Sequence, residues 1–84
     1  MHTINFDNEA LRFLEKNKII AKRIWNKLQE TKIEPHHYFT RLTGRTDYKL
    51  RVGDYRIIAD IDNNNKIIQI THIGHRKNIY DTKK

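Results

Sequence analysis

Apolar residues in the first third of the chain follow a strand spacing and then a helical spacing. Residues Thr3 to Phe6 alternate between polar and apolar side chains, which predicts a short strand. Asp7 suits a helix N-cap, and the apolar residues after it are Ala10, Leu11, Phe13 and Leu14. Asn17 interrupts this pattern. A second helix is predicted from Lys18 to Thr31, with a stripe of Ile20, Ile24 and Leu28, so the two helices form an αα-hairpin.

The remaining apolar segments are short and lie between turn signals. Pro35 marks the end of the second helix, and residues 34–47 are predicted to be a loop that packs on the core through Tyr38, Phe39 and Leu42. Three strands follow, at Tyr48 to Val52, Tyr55 to Ile61 and Lys66 to Ile73, with turns at Gly53-Asp54 and at 62–65. This order predicts an α+β fold, in which an N-terminal strand and a two-helix hairpin pack on a three- to four-stranded antiparallel sheet.

The two-residue turn at Gly53-Asp54 fits type II′ or I′ and fixes the register of the first hairpin. It places Arg51 opposite Arg56 and gives one apolar face, formed by Tyr48, Leu50, Val52, Tyr55, Ile57 and Ala59. The other face carries Lys49, Arg51, Arg56 and Ile58. If Ile61 pairs with Lys66 around the second turn, Ile68 and Ile70 join the apolar face.

Like charges directly across two strands destabilise a sheet, so the Arg51–Arg56 pair needs an explanation. One interpretation is a solvated surface on which the long side chains spread into water. The other is an anion site completed by phosphate, which arginine binds through two hydrogen bonds. Further cations and a phenol follow the third strand, and these residues are His75, Arg76, Lys77 and Tyr80.

Composition and charge limit the classes of function that are expected for this chain. The 84 residues are expected to form one domain, spanning 1–84, with a formal net charge of +7 that favours polyanionic partners or simply a hydrated surface. The chain has no cysteine, which excludes disulfides and thiolate chemistry. The five histidines lack partners at ligand spacing, so neither a metal nor another cofactor is expected. With no long apolar run and no signal-peptide pattern, a cytoplasmic protein without membrane association is expected.

The stretch YKLRVGDYRII from Tyr48 to Ile58, followed by a strand and then GHRKNIY, resembles the RelE/ParE toxin superfamily. The segment from Pro35 to Gly44 is similar to the loop before the hairpin in that family. The resemblance implies a fold similar to microbial ribonucleases and a toxin of a type II toxin–antitoxin pair. It further implies a RelE-like mRNA interferase, a metal-independent endoribonuclease that cuts mRNA in the ribosomal A site and inhibits translation and growth.

The same resemblance implies the site residues. By position, those expected to be catalytic are Lys49, Arg51, Arg56, Arg76 and Tyr80, and those expected to bind RNA are Arg41, Arg45, His75 and Lys77. A ribose 2′-OH would attack its own 3′ phosphate, and cations would stabilise the charge that gathers on the phosphoryl oxygens. Tyr80 and Lys49 both remain candidates for the general base or acid.

Several of these residues also have purely structural interpretations. Tyr80 would equally serve as an aromatic anchor for the C-terminus, and His75 as a surface residue. His72 is predicted on the apolar face as a core histidine, and Trp25 in the core or at a partner interface.

The partners that the resemblance implies are a cognate RelB-like antitoxin, the ribosome and mRNA, with operator DNA bound by a toxin–antitoxin heterotetramer through the antitoxin. Three alternatives stay open. The first is a ParE-like DNA gyrase inhibitor without nuclease activity, the second is a non-catalytic RNA- or DNA-binding module, and the third is an inactive toxin homologue. The set of cations together with the terminal tyrosine favours the RelE-type function over the first. The absence of an interleaved aromatic platform counts against a single-strand reader, and an inactive toxin would look nearly identical in sequence.

Overall fold

Two helices lie against one side of a five-stranded sheet in the computed structural model, which describes residues 1–75. The helices are α1 (Asn8–Lys16) and α2 (Lys18–Glu30), and a 3₁₀ turn follows at Pro35–His37. The strands are β1 (Thr3–Phe6), β2 (Thr40–Arg41), β3 (Tyr48–Val52), β4 (Tyr55–Asp62) and β5 (Ile67–His75), in the order β1-β5-β4-β3-β2. The predicted α+β class with a helical hairpin is confirmed.

The sheet is mixed, and both of its edges differ from the prediction. The N-terminal strand β1 runs parallel to β5, with Thr3 paired to Ile67 and Phe6 to Ile70. At the other edge, the two residues of β2 pair with Tyr48 and Lys49 of β3, within the segment predicted to be a loop. A two-residue strand carries no alternation signal, so the sequence could not reveal it.

Asp7 joins the start of α1 to the sheet. Its backbone is extended, with φ −70° and ψ 159°, as expected of an N-cap, but its side chain caps no helical N–H. Instead, the Gln69 side-chain amide donates a hydrogen bond to the Asp7 carboxylate. The Asp7 N–H donates to the Ile70 carbonyl at 2.8 Å. The residue therefore fixes the helix to β5 rather than satisfying its first turn.

Asn17 forms the joint between the two helices. Its N–H and its Nδ2 both donate to the Phe13 carbonyl, at 3.0 and 2.8 Å, so the residue closes α1. Its own carbonyl accepts from the Ala21 N–H at 2.8 Å and opens α2. One residue therefore ends one helix and starts the next, as the break in the apolar pattern predicted.

The β3–β4 hairpin has the predicted register. Arg51 pairs with Arg56, Val52 with Tyr55, and Lys49 with Ile58. Gly53 has φ +60° and Asp54 does not have a positive φ, which fits the type II′ turn of the two alternatives.

The second turn lies one residue later than predicted, and the pairing of Ile61 with Lys66 is wrong. Ile61 pairs with Ile68 and Asp62 with Ile67, so residues 63–66 form the turn instead of 62–65. The Asp62 carboxylate accepts hydrogen bonds from the backbone N–H groups of Asn64 and Asn65, at 3.0 and 3.1 Å, and holds this turn. The register moves by two residues, which leaves the faces unchanged, so Ile68 and Ile70 are in the core as predicted.

An irregularity in β5 reverses the predicted position of His72. Ala59 pairs with Ile70 but Ile58 pairs with His72, so Thr71 is an extra residue in the strand. The Thr71 hydroxyl donates to the Ile58 carbonyl at 3.2 Å. His72 is therefore exposed, and its Nε2 lies 3.5 Å from the Glu9 carboxylate on α1, so the prediction of a core histidine was wrong.

The core lies between the helices and the sheet. Its buried residues include Ala10, Ile24, Leu28, Phe39, Leu50, Ile57, Ala59, Ile68 and Ile70. Tyr38 packs against this cluster, but Leu42 does not, because it contacts Ile58 on the opposite side of the sheet. Trp25 is 49% exposed and stacks on Phe6, with ring centroids 6.1 Å apart, so it is not a core residue.

Candidate functional site

The sheet surface opposite the helices carries the predicted cluster of cations. We call it the outer face, and at its centre lie Lys49, Arg51, Arg56, Ile58, His72 and Gly74. Lys49 and Arg51 belong to β3 and Arg56 to β4, so the hairpin brings together three of the predicted catalytic residues. Neither Lys49 nor Arg51 forms a salt bridge within residues 1–75.

Arg56 occupies the middle of the outer face. It lies on β4, between Arg51 on β3 and Gly74 on β5. Gly74, the residue of β5 that pairs with Arg56, has no side chain. Arg56 is nevertheless only 8% exposed, which is unusual for a cation on a sheet surface. A charge removed from water acts more strongly on a bound anion than a solvated charge does.

Two apolar residues share the outer face with Arg56. Leu42 is 7% exposed and Ile58 3% exposed, and they form a small cluster separate from the main core. The Leu42 N–H donates to the Asp47 carbonyl at 3.1 Å, which continues the β2–β3 pairing by one residue, so strand alternation places Leu42 on this face. The sequence placed Ile58 on this face, but it did not reveal that Leu42 covers it.

Arg51 and Lys49 differ in exposure and in orientation. Arg51 is exposed, and its Nε donates to the Gly53 carbonyl at 3.2 Å, which holds the guanidinium near the hairpin turn. Lys49 is half-buried between Thr40 of β2 and Ile58 of β4. The outer face therefore offers one exposed guanidinium, one half-buried ammonium and one buried guanidinium.

Three of the predicted RNA-binding residues lie away from this cluster. Arg41 pairs with Tyr48, and its guanidinium lies 5.5 Å from the Tyr48 ring centroid, on the helix side of the sheet. Arg45 forms a 2.6 Å salt bridge with Asp47 in the loop before β3. His75 pairs with Tyr55 on the helix side, and the ring centroids are 5.6 Å apart. The structure does not bring these residues together with Arg51 and Arg56.

The other predicted site residues are Arg76, Lys77 and Tyr80, and they lie outside the described residues. Their roles therefore remain predictions. The same holds for the choice between Tyr80 and Lys49 as the general base or acid.

The histidines do not form a common site. His72 and His75 project from opposite faces of β5, and His36 contacts Asn63 at 3.0 Å and the Tyr48 ring. Within residues 1–75, no three histidine or carboxylate side chains come together as metal ligands would. In this part of the chain, the helices are too short or too polar to span a bilayer.

Similarity to a known protein family shows where this chain belongs. A sequence model of the family described as the ParE toxin of the type II toxin–antitoxin system parDE matches residues 4–80. The chain belongs to the ParE toxin family. As a family member it is a toxin of a type II toxin–antitoxin pair, within the RelE/ParE superfamily that the hairpin motif predicted. No curated protein sequence is similar enough to count as a match.

Solved structures of RelE toxins and of their complexes have the same fold as this ParE-family toxin. A chain of the Mycobacterium tuberculosis toxin–antitoxin complex RelBE2 is 25% identical, with a TM-score of 0.73 over 89% of this chain and 98% of that chain. A chain of the intact E. coli RelBE complex is 20% identical, with a TM-score of 0.76 over 89% and 96%. The isolated E. coli RelE toxin is 19% identical, with a TM-score of 0.73 over 98% and 94%.

Proposed function

We propose that this toxin is a ribosome-dependent endoribonuclease that cleaves mRNA in the A site. The observation that carries the proposal is Arg56, a cation that is more than nine-tenths buried on the outer face and lies directly opposite Arg51. Two guanidinium groups in this arrangement repel each other in the free protein, and a phosphodiester between them would remove that repulsion. The similarity to RelE toxin structures supports the same function.

The reaction needs charge stabilisation more than any other contribution. When the ribose 2′-OH attacks the adjacent phosphate, negative charge gathers on the phosphoryl oxygens, and preorganised donors lower the barrier. We assign this role to Arg56 because it is buried on the central strand of the outer face, and we assign Arg51, which is exposed beside it, to binding the RNA backbone. Arg76 is proposed as a second stabilising cation, and Tyr80 or Lys49 as the group that moves the proton.

Primer extension on an mRNA in a translating extract tests this proposal. We expect the wild-type toxin to cut at codon positions only when ribosomes are present, and Arg56→Ala to abolish the cuts. Arg12→Ala is the matched control, since Arg12 is an exposed cation on α1 and lies away from the outer face. Circular dichroism of all three proteins separates loss of activity from loss of folding. Equal cutting by wild type and a folded Arg56→Ala would refute the proposal.

Inhibition of DNA gyrase is the second candidate function, because the family model that matches residues 4–80 is that of ParE toxins. In this case the outer face would bind a protein, and no RNA would be cut. A supercoiling assay with purified gyrase distinguishes the two functions. Inhibition without any mRNA cleavage would establish the second candidate in place of the first.

Because the chain belongs to a toxin–antitoxin family, the partner expected for it is an antitoxin. Chains of RelB–RelE complexes share its fold. We propose that a RelB-like antitoxin covers the outer face and shields Arg56, and that the resulting heterotetramer binds operator DNA through the antitoxin. The net charge of +7 would accelerate association with an acidic partner segment. Coexpression with a cognate antitoxin should give a copurifying complex that cuts no mRNA, and failure to copurify would contradict this.

A further inference from the structure

A second group of cations lies beside the hairpin turn, in a groove between α2 and the end of β3. The groove has a volume of about 370 Å³ and is lined by Arg23, Asn26, Lys27, Glu30, Arg51, Val52 and Gly53. Its size is within the range of about 300–1,000 Å³ that is typical of ligand sites. Within residues 1–75, no strand pairs with the edge of β3 beyond Lys49, so this side of the groove is open.

The charges of the groove are unbalanced. It contains three cations and one carboxylate, and this carboxylate, on Glu30, lies 3.5 Å from the Lys27 ammonium. Lys27 also lies 5.3 Å from the Tyr38 ring centroid, so its side chain is held from two sides. Arg23 has neither a salt bridge nor a hydrogen bond within the described part of the chain. An anion in the groove would therefore meet an excess of two positive charges.

The Arg23 guanidinium lies against the hairpin turn. A Cβ atom at Gly53 would lie 3.2 Å from the Arg23 Nη1 and 3.5 Å from its Cζ, so the guanidinium packs directly over the glycine. The absence of a side chain at Gly53 therefore leaves room for a cation of α2 at the tip of the β3–β4 hairpin. This contact places Arg23 beside Arg51, the other arginine that lines the groove.

Arg51 connects the groove to the outer face. It pairs with Arg56 across the hairpin and also lines the groove beside Arg23. A flexible polyanion bound at Arg56 would therefore reach the groove by passing around the hairpin turn. Single-stranded nucleic acid suits such a path, because its backbone bends freely and carries one charge per nucleotide.

We propose that the groove formed by Arg23, Lys27 and Arg51 binds a backbone phosphate of single-stranded RNA, next to the nucleotides held on the outer face. The inference rests on the proposed function for its choice of RNA. It adds a binding site on α2, a helix to which the sequence motif assigned no role. Arg23 and Lys27 contribute affinity and register there and take no part in the chemical step.

Fluorescence anisotropy with a labelled 2′-O-methyl oligouridylate tests the groove. This probe has no 2′-OH nucleophile, so binding is measured without cleavage. The affinities of the wild type, Arg23→Gln and Lys27→Gln are compared between 50 and 200 mM salt. Lys22→Gln is the matched control, since Lys22 is an exposed cation of the same helix and does not line the groove. Thermal melts confirm that each variant folds.

We expect Arg23→Gln and Lys27→Gln each to weaken binding and to reduce the slope of log affinity against log salt by about 0.7, the value for one phosphate of a single strand. Lys22→Gln should leave that slope unchanged. Equal slopes for all four proteins, an equal loss in the control, or no RNA binding by the wild type would each overturn the inference. Polyglutamate is also tested as a competitor. If Arg23→Gln changed the competition by polyglutamate but not the binding of RNA, the inference would be overturned as well.

The failures of the two proposals are distinguishable. If wild-type toxin cuts mRNA but the slopes are equal, only the groove is refuted. If the slopes differ as expected but no mRNA is cut, the groove binds RNA and the nuclease proposal fails.

Discussion

Asp62 shows how a single carboxylate can shape a turn and respond to pH. Its pKa is lowered from the ordinary value, first by the backbone and side-chain hydrogen bonds from Asn65, and to a smaller extent by the N–H of Asn64. A carboxyl with a depressed pKa in the folded state stabilises the protein above its unfolded pKa of about 3.9. That contribution is lost as the pH falls through the folded pKa.

Asp62→Asn tests this residue. Asparagine can still accept hydrogen bonds from the turn but cannot titrate, so the fall in stability below about pH 4 should be shallower than in the wild type. Urea unfolding at a series of pH values between about 5 and 2 measures the effect. The control is Asp60→Asn, an exposed aspartate of the same strand that makes no side-chain hydrogen bond within residues 1–75. If Asp62→Asn lost stability below about pH 4 as steeply as the wild type, the lowered pKa of Asp62 would be contradicted.

Gly53 carries two constraints, its backbone conformation and its contact with Arg23. With φ +60°, replacement by alanine should cost about 1–2 kcal/mol from the left-handed conformation alone. Gly44→Ala is the matched control, because Gly44 has φ +71° and no atom lies within 4 Å of its Cβ position.

Denaturant unfolding of the two glycine variants separates these constraints. Any additional loss of stability in Gly53→Ala should disappear in an Arg23→Gln background, since the guanidinium is the group that a Cβ would meet. If neither glycine variant lost stability, the description of these turns would be wrong.

At the scale of the elements, local signals specified most of the fold. The Gly53-Asp54 turn set the β3–β4 register, and Asn17 set the joint between the helices, because each acts through its own backbone. The pairing of β1 with β5 was not predictable in this way, since it joins residues more than sixty positions apart. The extra residue at Thr71 was also hidden, because a side-chain hydrogen bond rather than a polarity pattern marks it.

Thr71→Val tests the irregularity in β5. Valine keeps the branched shape but removes the hydroxyl that donates to the Ile58 carbonyl, which should cost about 0.5–1.5 kcal/mol of unfolding free energy. Thr3→Val on β1 is the control, since Thr3 is exposed and its side chain makes no hydrogen bond within residues 1–75. Chemical denaturation measures both variants. A neutral Thr71→Val would show that the hydroxyl does not hold the bulge.

At the scale of the whole molecule, the two faces of the sheet differ in composition. The helix side contains nearly all of the apolar core, whereas Lys49 and Arg51 on the outer face make no salt bridge within residues 1–75. The sequence placed Arg51, Arg56 and Lys49 together because strand alternation is a local property. It did not predict that Arg56 is buried or that Leu42 packs on Ile58 on this face. The resemblance grouped Arg41 and His75 with these cations, but their pairing with Tyr48 and Tyr55 places both on the helix side.

The rate of mRNA cleavage by Arg56→Gln on programmed ribosomes is the measurement that tests the central claim most directly. Glutamine keeps a hydrogen-bond donor but removes the charge, so single-turnover cleavage should fall by about 100- to 1,000-fold if Arg56 stabilises the transition state. Arg12→Gln should cleave at the wild-type rate. A folded Arg56→Gln toxin that also cleaves at the wild-type rate would contradict the account.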